Sequence, residues 1–239
     1  MFIDTHCHLT DNYISGDLND VISRATAAGV GMMICPTAEP GDITRAIQIA
    51  ETYDNIFATI GIHPEYAGVD ASQYLTDAVL ENPRVVGVGE IGLDYHERDD
   101  NRTAQIKLFE QQLALAKKHN LPVAIHTRDA ESDTAAILTG DVRGVMHCFT
   151  SSWDLAKKML DRGFHFSASG ILTFKNASEI RETFSKIPID RIVIETDSPY
   201  CAPVPYRGKT CEPAFVIETA RVLADIHGLQ LADLESILY

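Results

Sequence analysis

The chain has 239 residues, 45% hydrophobic and 23% charged, an ordinary soluble globular balance and enough chain for one large domain, taken as 1–239. Its formal net charge of −14 argues against a broad electrostatic grip on nucleic acid, because phosphate contacts need Lys and Arg. A small pocket in which metal ions meet a single phosphate is still compatible with that charge. No run approaches the roughly 18 apolar residues of a membrane span, so no membrane association is expected. The chain enters an apolar run at once (Met1-Phe2-Ile3), without the basic region and long apolar stretch of a signal peptide. Five Cys without a CxxC suit a reducing cytoplasmic compartment, and a monomer is expected.

Apolar runs and amphipathic stretches alternate along the chain. Residues 2–5 read as a first strand, and His6 and His8 follow it. A helix is expected over 17–29, a strand over 31–36, and a helix over 41–53. The strand 56–62 leads to His63 in Gly61-Ile62-His63-Pro64, and a helix is expected over 71–82. The strand 85–90 runs through Val85-Val86-Gly87-Val88 and ends on Glu90. In the helix expected over 101–119, Ile106, Leu108, Phe109, Leu113, Leu115 and Ala116 recur at near-helical spacing. The strand 122–126 ends on His126, and a helix is expected over 130–139. The strand 144–148 carries His147, with a helix expected over 152–163. The strand 165–170 and helix 176–186 follow. The strand 191–196 leads to Asp197, then a helix over 212–227 and a last piece from 231.

Short apolar runs between helices read as buried parallel strands. Eight such units in 239 residues match a (β/α)8 TIM barrel, which typically has about 250. An open doubly wound sheet would carry a Gly-rich loop after its first strand. That place holds Thr5-His6-Cys7-His8 instead.

Each polar residue at a strand end has a plain reading when taken singly. His6 and His8 could be a polar core patch. Glu90 could pair with Arg128 or Lys209. His126 and His147 could be hydrogen-bonded core histidines, and Asp197 a cap or turn residue. Taken together, they stand at the carboxyl ends of strands 1, 4, 5, 6 and 8, where barrel enzymes place their sites. Imidazoles mixed with carboxylates suit a catalytic ion such as Zn, Mg, Mn or Co rather than a Cys-rich structural one.

The stretches IDTHCHL, GIHP, VGEIGLDY, IHTRDA, HCFTSS and IVIETDSPYCAP, followed by PYRGKTCEP, lie in this order between residues 3 and 213. The chain thereby resembles the TatD-type metal-dependent deoxyribonucleases of the amidohydrolase superfamily. The resemblance implies a barrel that hydrolyses phosphodiester bonds, commonly as a 3′–5′ exonuclease on DNA. It further implies two divalent ions. His6 and His8 would hold one with Asp197, His126 and His147 the other, and Glu90 would bridge them. Asp197 would orient or deprotonate the attacking water. His63 and Arg128 are candidates to contact the phosphate, Asp94 and Tyr95 to shape the mouth, and Arg207 and Lys209 to meet a nucleic-acid backbone. His96, His119, His165 and His227 read as surface or helix residues.

Two departures from the family pattern stand out. Cys211 replaces the usual Asn before Glu212-Pro213, and the sequence stops at Tyr239 where family members usually run on about 15 to 20 residues in a helical tail, so either that tail is absent or the chain was cut. Cys201 and Cys211 are expected as free thiols. Cys7 and Cys148, each beside a ligand candidate, are expected to point the opposite way as small core residues. The competing reading is a hydrolase of another ester or amide, such as the ester of aminoacyl-tRNA. A non-catalytic barrel would have lost a ligand, and none is lost.

Overall fold

The computed structural model describes residues 1–11, 17–96 and 98–238. Its strands are β1 (Phe2–Asp4), β2 (Val30–Pro36), β3 (Ile56–Thr59), β4 (Val85–Asp94), β5 (Val123–Arg128), β6 (Gly144–Met146), β7 (His165–Ala168) and β8 (Ile192–Ile194). They pair in sequence order, each parallel to the next. Backbone hydrogen bonds bring the two ends of the sheet together. Thr5 N donates to Ile194 O at 3.1 Å, Asp197 N to His6 O at 2.9 Å, and His8 N to Ser198 O at 2.8 Å. The result is a (β/α)8 TIM barrel with its helices outside.

The helices are α1 (Leu18–Ala27), α2 (Asp42–Thr52), α3 (Asp77–Leu80), α4 (Arg102–Lys118), α5 (Glu131–Ile137), α6 (Trp153–Leu160), α7 (Ser178–Lys186), α8 (Val216–His227) and α9 (Leu231–Leu238). Each longer one shows a core stripe. In α8, Val216, Thr219, Ala220, Leu223 and Ala224 are buried at helical spacing, and Gly228 ends the helix with left-handed backbone at φ 65°. Among the described residues, no helix is long and apolar enough to cross a membrane.

Two differences from the sequence reading bear on the site. Strand β4 extends to Asp94, because Gly92, Leu93 and Asp94 pair with His126, Thr127 and Arg128. Glu90 therefore lies inside the strand rather than at its end. The register shifts between Val88 and Ile91, so β4 carries one residue more than β5 over the same stretch, a bulge that re-aims the side chains. Two glycines permit it. A Cβ on Gly89 would lie 2.6 Å from the Ala124 Cβ, and one on Gly92, at φ 145°, 1.9 Å from His126 O. Second, the helix expected over 71–82 divides into a short turn at Ala71–Gln73 and the single-turn α3. Thr76 between them is extended, with ψ 162°. The last piece from 231 forms α9; Tyr239 lies outside the described residues.

Helix α4 buries two glutamines on its core face, and both hold backbone at the carboxyl end of the barrel. Gln112 Nε2 donates to Ile62 O at 2.9 Å, and its Oε1 accepts from Ile62 N at 2.8 Å. Gln105 makes the same pair of bonds, both 2.8 Å, with the backbone of Asp94. The backbone beside His63 and at the end of β4 is thus fixed from outside.

Between strands and helices the core is rich in phenylalanine. Phe166 on β7 is fully buried and stacks edge-on against Phe149, which in turn meets Phe184 of α7. Phe166→Ala removes that ring and is expected to cost about 3–5 kcal/mol of stability, read as a lower urea midpoint.

Candidate metal centre

The loops after β1 and β8 face each other across the barrel seam. Asp4 accepts from Thr196 N at 2.9 Å and from Thr196 Oγ1 at 2.6 Å, and from His6 N at 3.3 Å. Burial pushes the Asp4 carboxyl up to about 8 despite these bonds. Its link to Thr196 sets His6 and His8 against Asp197. Asp197 has left-handed backbone (φ 56°), a sparsely populated conformation for a residue with a side chain.

His6 Nε2 and His8 Nε2 lie 3.2 Å apart. Glu90 Oε2 is 3.4 Å from His6 Nε2 and 3.6 Å from His8 Nε2. Asp197 Oδ1 is 3.8 Å and 3.6 Å from the same two nitrogens. A tetrahedral ion with bonds of about 2.0–2.1 Å needs donors about 3.3–3.4 Å apart, so this group of two imidazoles and two carboxylates fits a divalent ion. The other Glu90 oxygen, Oε1, is 2.9 Å from His126 Nδ1 and 3.0 Å from His147 Nε2. Glu90 thus lies between the two histidine pairs and offers one oxygen to each.

The electrostatics follow from burial. Burial alone would raise the Glu90 carboxyl, but the surrounding imidazoles, His147 foremost, outweigh it and hold the group well below its usual value. Burial pushes His147 down, yet Glu90 and Glu195 carry it well above the ordinary imidazole range. The same competition leaves His8 raised by Asp197 and Glu90, and His126 raised by Asp94 and Glu90. His6 is lowered by burial and by His147. Imidazolium protons therefore supply the countercharge that a cation would replace.

The outer nitrogens of the second pair are also held. His147 Nδ1 lies 3.0 Å from Glu195 Oε1, and His126 Nε2 lies 2.9 Å from Asp94 Oδ2. A carboxylate behind a histidine fixes its ring and raises its basicity toward an ion. Asp94, expected at the mouth, is buried in this positioning contact and also lines the cavity. Glu195 is fully buried and was not expected from the sequence. Its signal is a second carboxylate two residues before Asp197, at the end of an apolar strand.

His63 points to the same centre, with Nε2 3.7 Å from Glu90 Oε1. Its Nδ1 accepts from Glu65 N at 3.2 Å, which puts the ring proton on Nε2. Burial lowers its pKa to about 4. His63 is thus a neutral imidazole whose Nε2 is aimed into the cavity beside Glu90.

Other expected residues stand farther out. Arg128 is exposed and lines the cavity. Tyr95 does not shape the mouth; its ring is buried under Arg102 at 4.3 Å, and its hydroxyl donates to Asp133 at 2.7 Å. Arg207 lies over Phe174 at 3.7 Å and Lys209 near Tyr206 at 5.5 Å, both exposed and outside the cavity lining. His165 is half-buried at the start of β7, within the strand expected over 165–170. Cys148 is a correction: left-handed backbone (φ 41°) breaks the strand alternation, and its thiol lines the cavity rather than the core. The cysteines are free, and Cys211 is buried.

His8, His63, Glu90, His126, His147 and Asp197 line a cavity of about 740 Å³ at the carboxyl end of the barrel. A (β/α)8 barrel whose carboxyl end gathers histidines and carboxylates around a buried glutamate defines a class, the metal-dependent hydrolases. A family model described as TatD related DNase matches residues 3–239. The chain is 39% identical over 244 residues to the uncharacterized metal-dependent hydrolase YabD of Bacillus subtilis (strain 168), across 99% of this chain and 95% of that protein. It is 37% identical over 245 residues to the uncharacterized metal-dependent hydrolase YcfH of Escherichia coli (strain K12), across 98% and 91%. The crystal structure of YjjV, a TatD homolog from Escherichia coli K12, superposes with a TM-score of 0.90 at 30% identity, covering 99% of this chain and 94% of that one. The chain belongs to the TatD family of metal-dependent hydrolases.

Replacing Glu195 with Gln removes the charge behind His147 and is expected to weaken divalent-ion binding roughly 10–100-fold by calorimetry. Ion binding at neutral pH must also expel protons from the raised imidazoles of His8, His126 and His147. Apparent affinity is therefore expected to rise with pH through and beyond the ordinary imidazole range, levelling off only above the raised value of His147. The binding enthalpy should depend on the ionisation heat of the buffer below that plateau and not above it.

Proposed function

We propose that this chain is a phosphodiester hydrolase acting on DNA, trimming strands from the 3′ end. The observation that carries the reading is Glu90 between two histidine pairs, one oxygen facing each. The family description as a DNase supports the same substrate. His6, His8 and Asp197 would hold one divalent ion with Glu90, and His126 and His147 a second. Ions in these places would lower the pKa of a nucleophilic water and counter the charge of the phosphate.

The protein's own groups take the remaining tasks. Asp197 is the base: burial raises its carboxyl, but the His8 hydrogen bond and the nearby imidazoles of His147, His6 and His8 together outweigh it and hold the group below its usual value, and it faces the cavity. His63 offers its Nε2 proton to a phosphate oxygen. Arg128 stands on the cavity wall to pair another. Asp94 and Glu195 keep the rings of His126 and His147 in place.

A second reading draws on the rim. Asp11, Glu39, Asp42 and Glu65 line the cavity, and Arg128 is the one Arg or Lys among its described lining residues. An uncharged ester or amide would enter such a mouth more readily than a polyanion. The ester of aminoacyl-tRNA has the reactive bond of this reading, but its polyanionic tRNA meets the same acidic rim.

Single-stranded DNA incubated with Mg or Mn separates the readings. Hydrolysis should occur with the unaltered chain and fall about 10²–10⁴-fold in Asp197→Ala. Equal activity in both proteins overturns the proposal. Inert phosphodiesters beside rapid turnover of a small ester favour the second reading.

A further inference from the structure

We propose that Cys148, Cys201 and the Oδ2 oxygen of Asp197 form a separate cation site, for a soft thiophilic divalent ion such as zinc or cadmium. Cys148 comes from the loop after β6 and Cys201 from the loop after β8, and both thiols line the cavity. The two sulfurs and an Asp197 oxygen all lie within 4.8 Å of one another. Cys201 Sγ is 3.3 Å from Asp197 Oδ2, and Cys148 Sγ is held 3.2 Å from Ser169 Oγ. An ion with Zn–S bonds of about 2.3 Å sets two sulfurs roughly 3.8 Å apart, within the spacing found here. Two thiolates with one carboxylate form a soft donor set, unlike the imidazole and carboxylate set alongside it.

The two sites share one side chain. Asp197 turns Oδ1 to His6 and His8 and Oδ2 to Cys201. Binding forms two metal–sulfur bonds, each thiol gives its proton to solvent, and nothing is oxidised. An ion on the thiols draws on the same carboxylate that serves the histidine centre. Excess soft metal would therefore suppress hydrolysis from this position. The site stands independently of the substrate reading, since its donors are defined by geometry alone.

Cadmium reports it directly. The intact protein, its histidine centre first saturated with manganese, is titrated with cadmium while the ultraviolet thiolate-to-cadmium charge-transfer band is followed. A saturable band is expected in the unaltered chain and in Cys211→Ser, whose thiol is buried outside the cavity lining. It should be lost in Cys148→Ser and in Cys201→Ser. In the unaltered chain, cadmium should also protect Cys148 and Cys201 together from iodoacetamide, read residue by residue by mass spectrometry. This second measurement needs no variant to fold. Absence of a saturable band in the unaltered chain, persistence of the band in both variants, or labelling at either cysteine unchanged by cadmium overturns the proposal.

Discussion

The architecture of the site depends on one buried charge. Glu90 is only 4% exposed, in the interior of a parallel barrel. An ionised carboxylate there costs several kcal/mol unless positive charge and hydrogen-bond donors surround it. Five imidazoles meet that demand, from His6, His8, His63, His126 and His147, with nitrogens 2.9 to 3.7 Å from its oxygens. The glycines around the β4 bulge turn the carboxylate inward, and the glutamines of α4 fix the backbone on either side of it. The same arrangement that makes the carboxylate tolerable makes it a seat for cations.

Much of this was readable because strand ends are marked by chemistry. Each histidine and carboxylate of the centre follows an apolar run, and the period of two in a strand says which side it faces. The barrel and the convergence of His6, His8, Glu90, His126, His147 and Asp197 came from that. What stayed hidden depends on backbone that leaves the regular pattern. The bulge at Glu90 is set by the register of the partner strand, which one segment cannot declare. Cys148 reversed its expected direction because its φ is positive. Arg207 and Lys209 were placed by nearness in sequence, while their actual directions are set by the rings of Phe174 and Tyr206. Glu195 was overlooked because its role is to hold another residue.

The mouth of the cavity is more acidic than a surface shaped to hold nucleic acid alone. Asp11, Glu39, Asp42 and Glu65 border it, in a chain already carrying a net charge of −14. Attraction for an anion must then come from the bottom of the cavity. Bound cations are the largest local charges such a site can own. In this molecule they would set both the chemistry and the sign of the field that a substrate meets.

The hydrogen bonds between Asp4 and Thr196 join positions 192 residues apart. His6 and His8 leave the ribosome near the start of synthesis, while Thr196 and Asp197 emerge much later. At roughly 5–20 residues per second the interval is about 10–40 s. During it the nascent chain carries two histidines with no seam to hold them and no aspartate opposite. The donor group of His6, His8, Glu90 and Asp197 is therefore complete only once the last strand is in place. The closing of the barrel is thus also the step that assembles the site, and a chain short of its eighth strand lacks one wall of it.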